Sequence, residues 1–342
     1  TTFTPTADLI SGIYSQIIGH HMRSFDQSVQ KFGDPIVNAT IEVLQQILNT
    51  SCFLPSAKKF HYQFNLRDVA NIFQGLLNTD PNLYRGGAVK YLRVWVHECN
   101  RVFRDRLVAT SDMTEMQAVL EKAAKKNFGS SGVSAEELFQ DDNIMTSFVS
   151  VHGGNDKKYL PVRDMASLRQ VLTEKLGEYN ETFAEMNLVL FQDAIEHITR
   201  ICRIVDFPCG NALLVGVGGS GKQSLSRLAC FIGGLDIITI LVNQTYGMAD
   251  LKADLQIMYI KAAVKPAAPH AFLLTDGQIA DERFLVFLND FLASGNIPDL
   301  FTREEYDSHF GAIRNFAKAA GVPDDRDALF QFFLDRVRKN LH

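Results

Sequence analysis

The sequence predicts an α/β fold in which a parallel sheet with flanking helices follows an all-helical unit. Three observations carry that expectation. Over the first 125 residues apolar side chains recur at helical spacing. From Asn211 onward short apolar runs alternate with helical patterns. One of those runs leads through a glycine-rich loop into a helix.

Taken in order, Ile10, Ile13, Tyr14, Ile17 and Ile18 define a first helix, and Val37, Ile41, Leu44 and Leu48 a second. Val69, Ile72, Phe73 and Leu76 define a third, and Leu92, Trp95, Cys99, Val102 and Phe103 a fourth. Turn chemistry places breaks at Gly33-Asp34-Pro35, near Pro55, at Asp80-Pro81 and at Gly86-Gly87. A charged helix ends near Lys126, and NFGSSGVS, with Gly129 to Ser134 inside it, reads as an exposed linker. The expected domains are therefore a helical unit over 1–125 and an α/β unit over 126–342. In the second, SFVSVHGG reads as a strand, Met165 to Tyr179 and Leu188 to Val205 as helices, and ALLVGV, IITILV and HAFLLTD as strands.

Composition narrows the function. The chain has 342 residues, enough for roughly two domains, and 46% of them are apolar, so ordinary cores are expected. Lys plus Arg number 34 against 39 acids, a net charge of −5, which argues against whole-surface attraction to nucleic acid or anionic lipid. The five cysteines are odd in number and form no CxxC pair, so neither a disulfide framework nor a zinc site is indicated. No apolar run approaches the roughly 20 residues of a membrane span, and the start has no signal-peptide pattern. His20-His21, His97-Glu98 and His152 lack the spacing of metal ligands, and Arg336-Val337-Arg338-Lys339 reads as a solvated helix face. The absent initiator methionine and the helical pattern at RVRKNLH lead us to expect a piece of a longer chain.

The strongest chemical signal is NALLVGVGGSGKQSLSRLA, residues 211–229. An apolar run enters Gly216-Val217-Gly218-Gly219-Ser220-Gly221-Lys222 and then a helix, the order that lets backbone N–H groups wrap a phosphate chain, with Lys222 beside the outer phosphates. Gly216, Gly218 and Gly221 also satisfy the dinucleotide pattern GxGxxG, but that fold needs no lysine there and wants an acid ending the second strand, where this chain has Val242-Asn243-Gln244. The lysine favours the phosphate loop; a glycine turn holding no ligand is the bland alternative. The hydroxyl that normally follows the lysine and holds Mg2+ is replaced by Gln223, and Ser224 comes one place late, a rotation of about 100° on a helix. HAFLLTDGQ supplies Asp276 as candidate metal-side carboxylate, with Gly277 in the next position. Asp281 and Glu282 follow a turn later, where solvated charge is the expectation.

These residues, with MNLVLFQDAIEHITRICRI before them and FLLTDGQIADERFLVFLNDFLASGNIPDLF after them, resemble the dynein heavy chains, most closely axonemal chains of the outer arm. The match looks like the large subdomain of the fourth AAA+ module, a P-loop parallel sheet with flanking helices. FLPSAKKFHYQFNLRDVANIFQGLL and WVHECNRVFRDRLV look like the helical lid of the third module. The resemblance implies a part of a microtubule motor ring in cytoplasm, cytoskeleton and ciliary axoneme. Its neighbours would be AAA+ modules of the same chain, its wider partners microtubules and other dynein subunits, with neither nucleic acid nor membrane among them. It implies ATP or ADP as ligand with Mg2+ weakly held, Val189, Leu190 and Phe191 beside the adenine, and Arg67 directed to the nucleotide of the third module. It also places the γ-phosphate-sensing strand directly after RVRKNLH. Gly277 and Gln223 then favour a module that binds nucleotide and hydrolyses it weakly or not at all, as a structural or regulatory element. The alternatives are an active ATPase completed by other segments, with Glu282 as the one near carboxylate, and a structural segment with an empty loop.

Overall fold

The computed structural model describes residues 5–85, 87–139, 143–149, 159–162 and 164–342, and the chain divides into two compact units, Thr1–Met165 and Ala166–His342. Gly86 and His152 lie outside the described residues.

The first unit comprises helices α1 (Ala7–Met22), α2 (Gln27–Gln30), α3 (Gly33–Asn49), α4 (Leu66–Leu77), α5 (Ala88–Cys99), α6 (Thr110–Phe128) and α7 (Ala135–Leu138). All four helices expected from periodicity are present, as α1, α3, α4 and α5. Their apolar stripes, Ile18 and Met22, Val37 and Leu44, Val69 and Ile72, Leu92 and Trp95, meet in one core with Leu120 and Ala123 of α6. Gly33-Asp34-Pro35 opens α3 instead of standing before it; a proline in the first turn forfeits only an N–H that has no helical partner. Thr6 caps α1 by accepting from Leu9 N, and Asn65 with Asp68 forms a reciprocal cap on α4.

Among the described residues of this unit three acids are buried, and each has partners. Glu98 is fully enclosed and accepts from Arg101 Nε at 2.9 Å and Tyr159 Oη at 3.0 Å. Asp112 accepts from Tyr62 Oη at 2.9 Å and pairs with Lys59. Burial pushes the Asp112 carboxyl up, but these partners outweigh it and hold it below the usual range. Asp68 accepts from Asn65 N at 2.9 Å and pairs with Arg106 at 2.6 Å.

Residue 125 falls inside α6, and the core of the first unit continues beyond it. Gly129–Ser131 forms a 3-10 turn ended by Gly132 at φ +80°, but Val133, Leu138, Met145 and Tyr159 are buried in the same core. The segment read as a linker is thus a surface turn within this unit. The strand expected in SFVSVHGG is not found at Ser147 to Val149, and the rest of that segment lies outside the described residues. A two-residue strand β1 (Met145–Thr146) instead pairs antiparallel with β2 (Leu160–Pro161).

The second unit holds α8 (Met165–Thr182), α9 (Gln192–Val205), α10 (Lys222–Gly233), β3 (Asp236–Ile238), α11 (Met248–Ala263), β4 (His270–Phe272), α12 (Phe284–Ser294), α13 (Arg303–Ala319) and α14 (Arg326–Asn340). β3 and β4 run parallel with Asp236 opposite His270, and Leu341 adds a parallel bridge to His270. Leu255 and Tyr259 of α11, Ile313 of α13 and Phe333 and Val337 of α14 build the core beside this sheet. The basic stretch of α14 is more than a solvated face: Arg336 Nε donates to Ala263 O at 2.6 Å and Asn340 Nδ2 to Ala262 O at 2.8 Å, satisfying the last carbonyls of α11.

The sheet is smaller than the sequence implies. IITILV contributes only Ile237 and Ile238 to the three-residue β3 and HAFLLTD only the three residues of β4, and ALLVGV forms no strand: Leu213, Val215 and Val217 are 91%, 84% and 79% exposed. A strand exists through its ladder. Cys209 N donates to Arg338 O at 2.8 Å, and Gly210 O lies 3.0 Å from His342 Nδ1, so the segment starts beside the end of α14. Beyond that anchor no described strand pairs with it. Among the described residues no helix is long and apolar enough to cross a membrane.

Gly75 allows α4 and α5 to approach, because a Cβ there would collide with the Glu98 carboxylate. Glu98 cannot swing away without breaking its bonds to Arg101 and Tyr159. Gly75→Ala should therefore destabilise the first unit by about 1–3 kcal/mol, the usual cost of overpacking, despite alanine's better helix propensity. Urea unfolding followed by the fluorescence of Trp95 would read the change; an unaltered midpoint would refute this account of the packing.

Candidate functional site

The site is built where the glycine-rich loop meets α10. Gly219 and Gly221 adopt φ of +76° and +77°, the left-handed region that side chains disfavour, and Gly221 is the N-cap of α10. The two reversals fold the loop over its own lysine. Lys222 Nζ donates to Gly216 O at 2.8 Å, Val217 O at 2.7 Å and Ser220 Oγ at 3.3 Å. Leu225 N makes the first helical bond, to Gly221 O at 2.9 Å, so the N–H groups of Lys222, Gln223 and Ser224 precede the hydrogen-bonded turn. Positions where a Cβ would stand on Gly218, Gly219 and Gly221 are open. Free N–H groups, the positive end of a helix dipole and an ammonium held by carbonyl oxygens fit an anionic, phosphate-sized group.

Gln223 is exposed and Ser224 half-buried. Asp276 is exposed and begins a 3-10 turn, Asp276–Gln278, soon after β4, and the next residue, Gly277, is exposed with open space around it. Among the described residues no group of three or more His, Cys, Asp or Glu side chains could hold a metal ion. The donors that sequence reasoning offers for Mg2+ are the Gln223 amide and the Asp276 carboxylate, a sparse set for a cation that prefers near-octahedral oxygen coordination.

Gln278 is a residue that motif reasoning missed. Its Oε1 accepts from Thr275 N at 2.8 Å and Thr275 Oγ1 at 3.0 Å, while Nε2 donates to Ile240 O at 2.7 Å. It thereby ties the turn carrying Asp276 to the segment after β3. The signal was present as Thr275-x-x-Gln278, a capping box. Asp281 is engaged by Arg283, whose guanidinium hydrogen bonds hold the carboxyl down to about 2; Glu282 is exposed.

Val189 and Phe191 are 77% and 57% exposed, and Leu190 is half-buried, in an irregular stretch before α9. The helix expected from Leu188 starts only at Gln192. α9 then packs on α10, burying Ile195, Ile198 and Cys202, with Cys202 Sγ 3.7 Å from Ala229 O. The helix that follows Val189 to Phe191 is thus braced on the helix that Lys222 starts. Arg67 belongs to the first unit, exposed at the start of α4, with its backbone N–H on Asn65 Oδ1 at 2.8 Å.

Comparison with known families matches residues 186–342 to the P-loop containing dynein motor region D4 and residues 36–137 to the AAA+ lid domain. Human dynein axonemal heavy chain 17 is 46% identical across 98% of this chain. The dynein beta chain of the flagellar outer arm of Chlamydomonas reinhardtii is 47% identical across 99%, and the ciliary dynein beta chain of Tripneustes gratilla 43% across 98%. The chain spans 7% of the length of each of these relatives. With an AAA+ lid matched in its first unit and a P-loop motor region in its second, the chain belongs to the axonemal dynein heavy-chain family.

Proposed function

We propose that the second unit is the large part of a fourth AAA+ module and binds ATP or ADP with its phosphates on residues 216–224. The observation that carries this reading is the loop itself: two left-handed glycines aim the start of α10 and Lys222 at one place. Val189, Leu190 and Phe191 would border the adenine, since they lead into the helix packed against α10. Asp276 would face the metal side, and a bound Mg2+ would offset charge on the phosphates.

In the same reading the site retains nucleotide and turns it over slowly, so that it stiffens or regulates a motor ring instead of driving it. Gly277 has no side chain to take a proton from water, and the carboxylate of Asp281 is occupied by Arg283. Gln223 offers an amide oxygen where a hydroxyl is usual. The first unit would be the lid of the preceding module, with Arg67 serving that module's nucleotide. The remainder of the heavy chain would supply further AAA+ modules and the contacts to microtubules and other dynein subunits. The axonemal, ciliary and flagellar names of the relatives support placement in a ciliary axoneme.

Lys222→Ala should weaken ATP binding about tenfold or more, as expected for a lost charge-assisted hydrogen bond, and leave binding of adenosine unchanged. Titration calorimetry with both ligands decides it; an equal loss for both would move the phosphates elsewhere.

Turnover gives a second test, in the longer heavy chain with its other modules silenced. A missing positioned base costs about 10²–10⁴-fold in rate, so Gly277→Glu combined with Gln223→Thr should raise phosphate release from this module. Ordinary hydrolysis by the unmodified module would favour the active-ATPase reading instead.

A further inference from the structure

We infer that Asn180 is a positioning residue that fixes the base-binding stretch of the nucleotide site, an inference that rests on the nucleotide reading above. Asn180 lies in the last turn of α8, half-buried. Its Oδ1 accepts from Met186 N at 2.8 Å, and its Nδ2 donates to Met186 O at 3.3 Å. One amide side chain therefore satisfies both backbone groups of a residue six places onward. A two-point contact fixes orientation as well as distance, as one strand does for its neighbour.

The stretch after Met186 has little else to hold it. Met186 O also accepts from Leu188 N at 3.1 Å, Val189 O from Phe191 N at 3.2 Å, and Phe191 O from Ile195 N at 3.0 Å in the first turn of α9. These bonds follow one another from α8 through residues 186–191 into α9, joined between Leu188 and Val189 by the peptide bond alone, and Asn180 is their fixed end. Burial cannot do this work, because Val189 and Phe191 are largely exposed.

The fixed end is itself referred to the phosphate loop. Tyr179, adjacent to Asn180, meets Phe231 of α10 edge-on with ring centroids 5.5 Å apart, and Phe183 meets the same ring at 6.1 Å. Tyr179 and Phe183 lie 5.0 Å from each other. α10 is thus gripped by α8 through Phe231 and by α9 through Ala229. The irregular stretch is suspended between two helices that both lean on the one starting with Lys222. The span between base and phosphate subsites is set by this frame, and Asn180 joins the stretch to it.

A purely local role is the competing account. The C-terminal turn of α8 is closed without this side chain, since Phe183 N donates to Tyr179 O at 2.9 Å. Asn180 reaches forward instead of back to its own helix.

The test compares ATP with inorganic tripolyphosphate, which fills the phosphate subsite and has no base, on the unmodified chain and two variants. Asn180→Ala should weaken ATP about tenfold, as expected when two hydrogen bonds that hold a ligand-bearing segment are lost. Its affinity for tripolyphosphate should be unchanged. Asn180→Asp, which keeps the acceptor for Met186 N but sets a carboxylate oxygen against Met186 O, should also lose ATP affinity with tripolyphosphate unchanged, and guards against misfolding of the alanine variant. Equal affinity of variants and unmodified chain for ATP overturns the inference, and so does a parallel loss for both ligands, which would make Asn180 merely structural. Failure of the unmodified chain to bind either ligand overturns the nucleotide reading and this inference with it. Tripolyphosphate bound by the unmodified chain as tightly as ATP overturns the inference, because the base then adds nothing, and leaves the phosphate site standing.

Discussion

The second unit turns on one backbone event, the double reversal at Gly219 and Gly221 that begins α10. Without it the carbonyls of Gly216 and Val217 would not meet the Lys222 ammonium, and the first N–H groups of the helix would not be gathered around the same space. A Cβ would find room at either glycine, so neither is required by crowding. What demands glycine is φ, and φ is demanded by the direction in which α10 must leave the loop. The packing of α9 and the aromatic contacts at Phe231 then transmit that direction to α8 and to the stretch between them.

The first unit solves a different problem. Its helices are joined by irregular segments, so register has to be set by contacts inside the core. Three buried carboxylates do this, each reaching a partner distant in sequence: Glu98 to Tyr159, Asp112 to Lys59 and Tyr62, Asp68 to Arg106. Such pairs gain little net stability over well-packed apolar groups, but removing one partner leaves the other buried and costly. They therefore penalise every alternative helix pairing more than they reward the native one. Buried charge here marks helix registration.

How much of this was legible depended on the range of the interaction. α1, α3, α4 and α5 follow from side-chain period within single segments, and the glycine loop followed by α10 follows from seven consecutive residues. ALLVGV is different, because its apolar residues meet the composition of a strand while its identity as one depends on a neighbour elsewhere in the chain. The helix expected from Leu188 fails for a related reason. Its apolar residues continue the pattern of α9, yet residues 186–191 are held in successive turns by bonds from Asn180 and among themselves. Gln278 and Asn180 escaped notice because each acts by a side chain reaching a particular backbone group, 38 positions away at Ile240 and six at Met186. No periodicity encodes such a bond.

Binding and chemistry draw on different parts of this chain, and that difference explains how one could persist without the other. In the proposed reading the phosphate cradle consists of backbone groups and a single lysine, and it survives substitutions elsewhere that leave Lys222 and the glycine conformations intact. Hydrolysis would depend on side chains at two positions, 223 and 277, where the chain carries an exposed amide and no side chain at all. Neither position supports the fold: Gln223 is exposed, and space around Gly277 is open. Change at these two sites costs little stability and leaves the loop and the packing of α8, α9 and α10 untouched, so under the proposed reading a module of this kind loses turnover in small steps without losing the fold that binds.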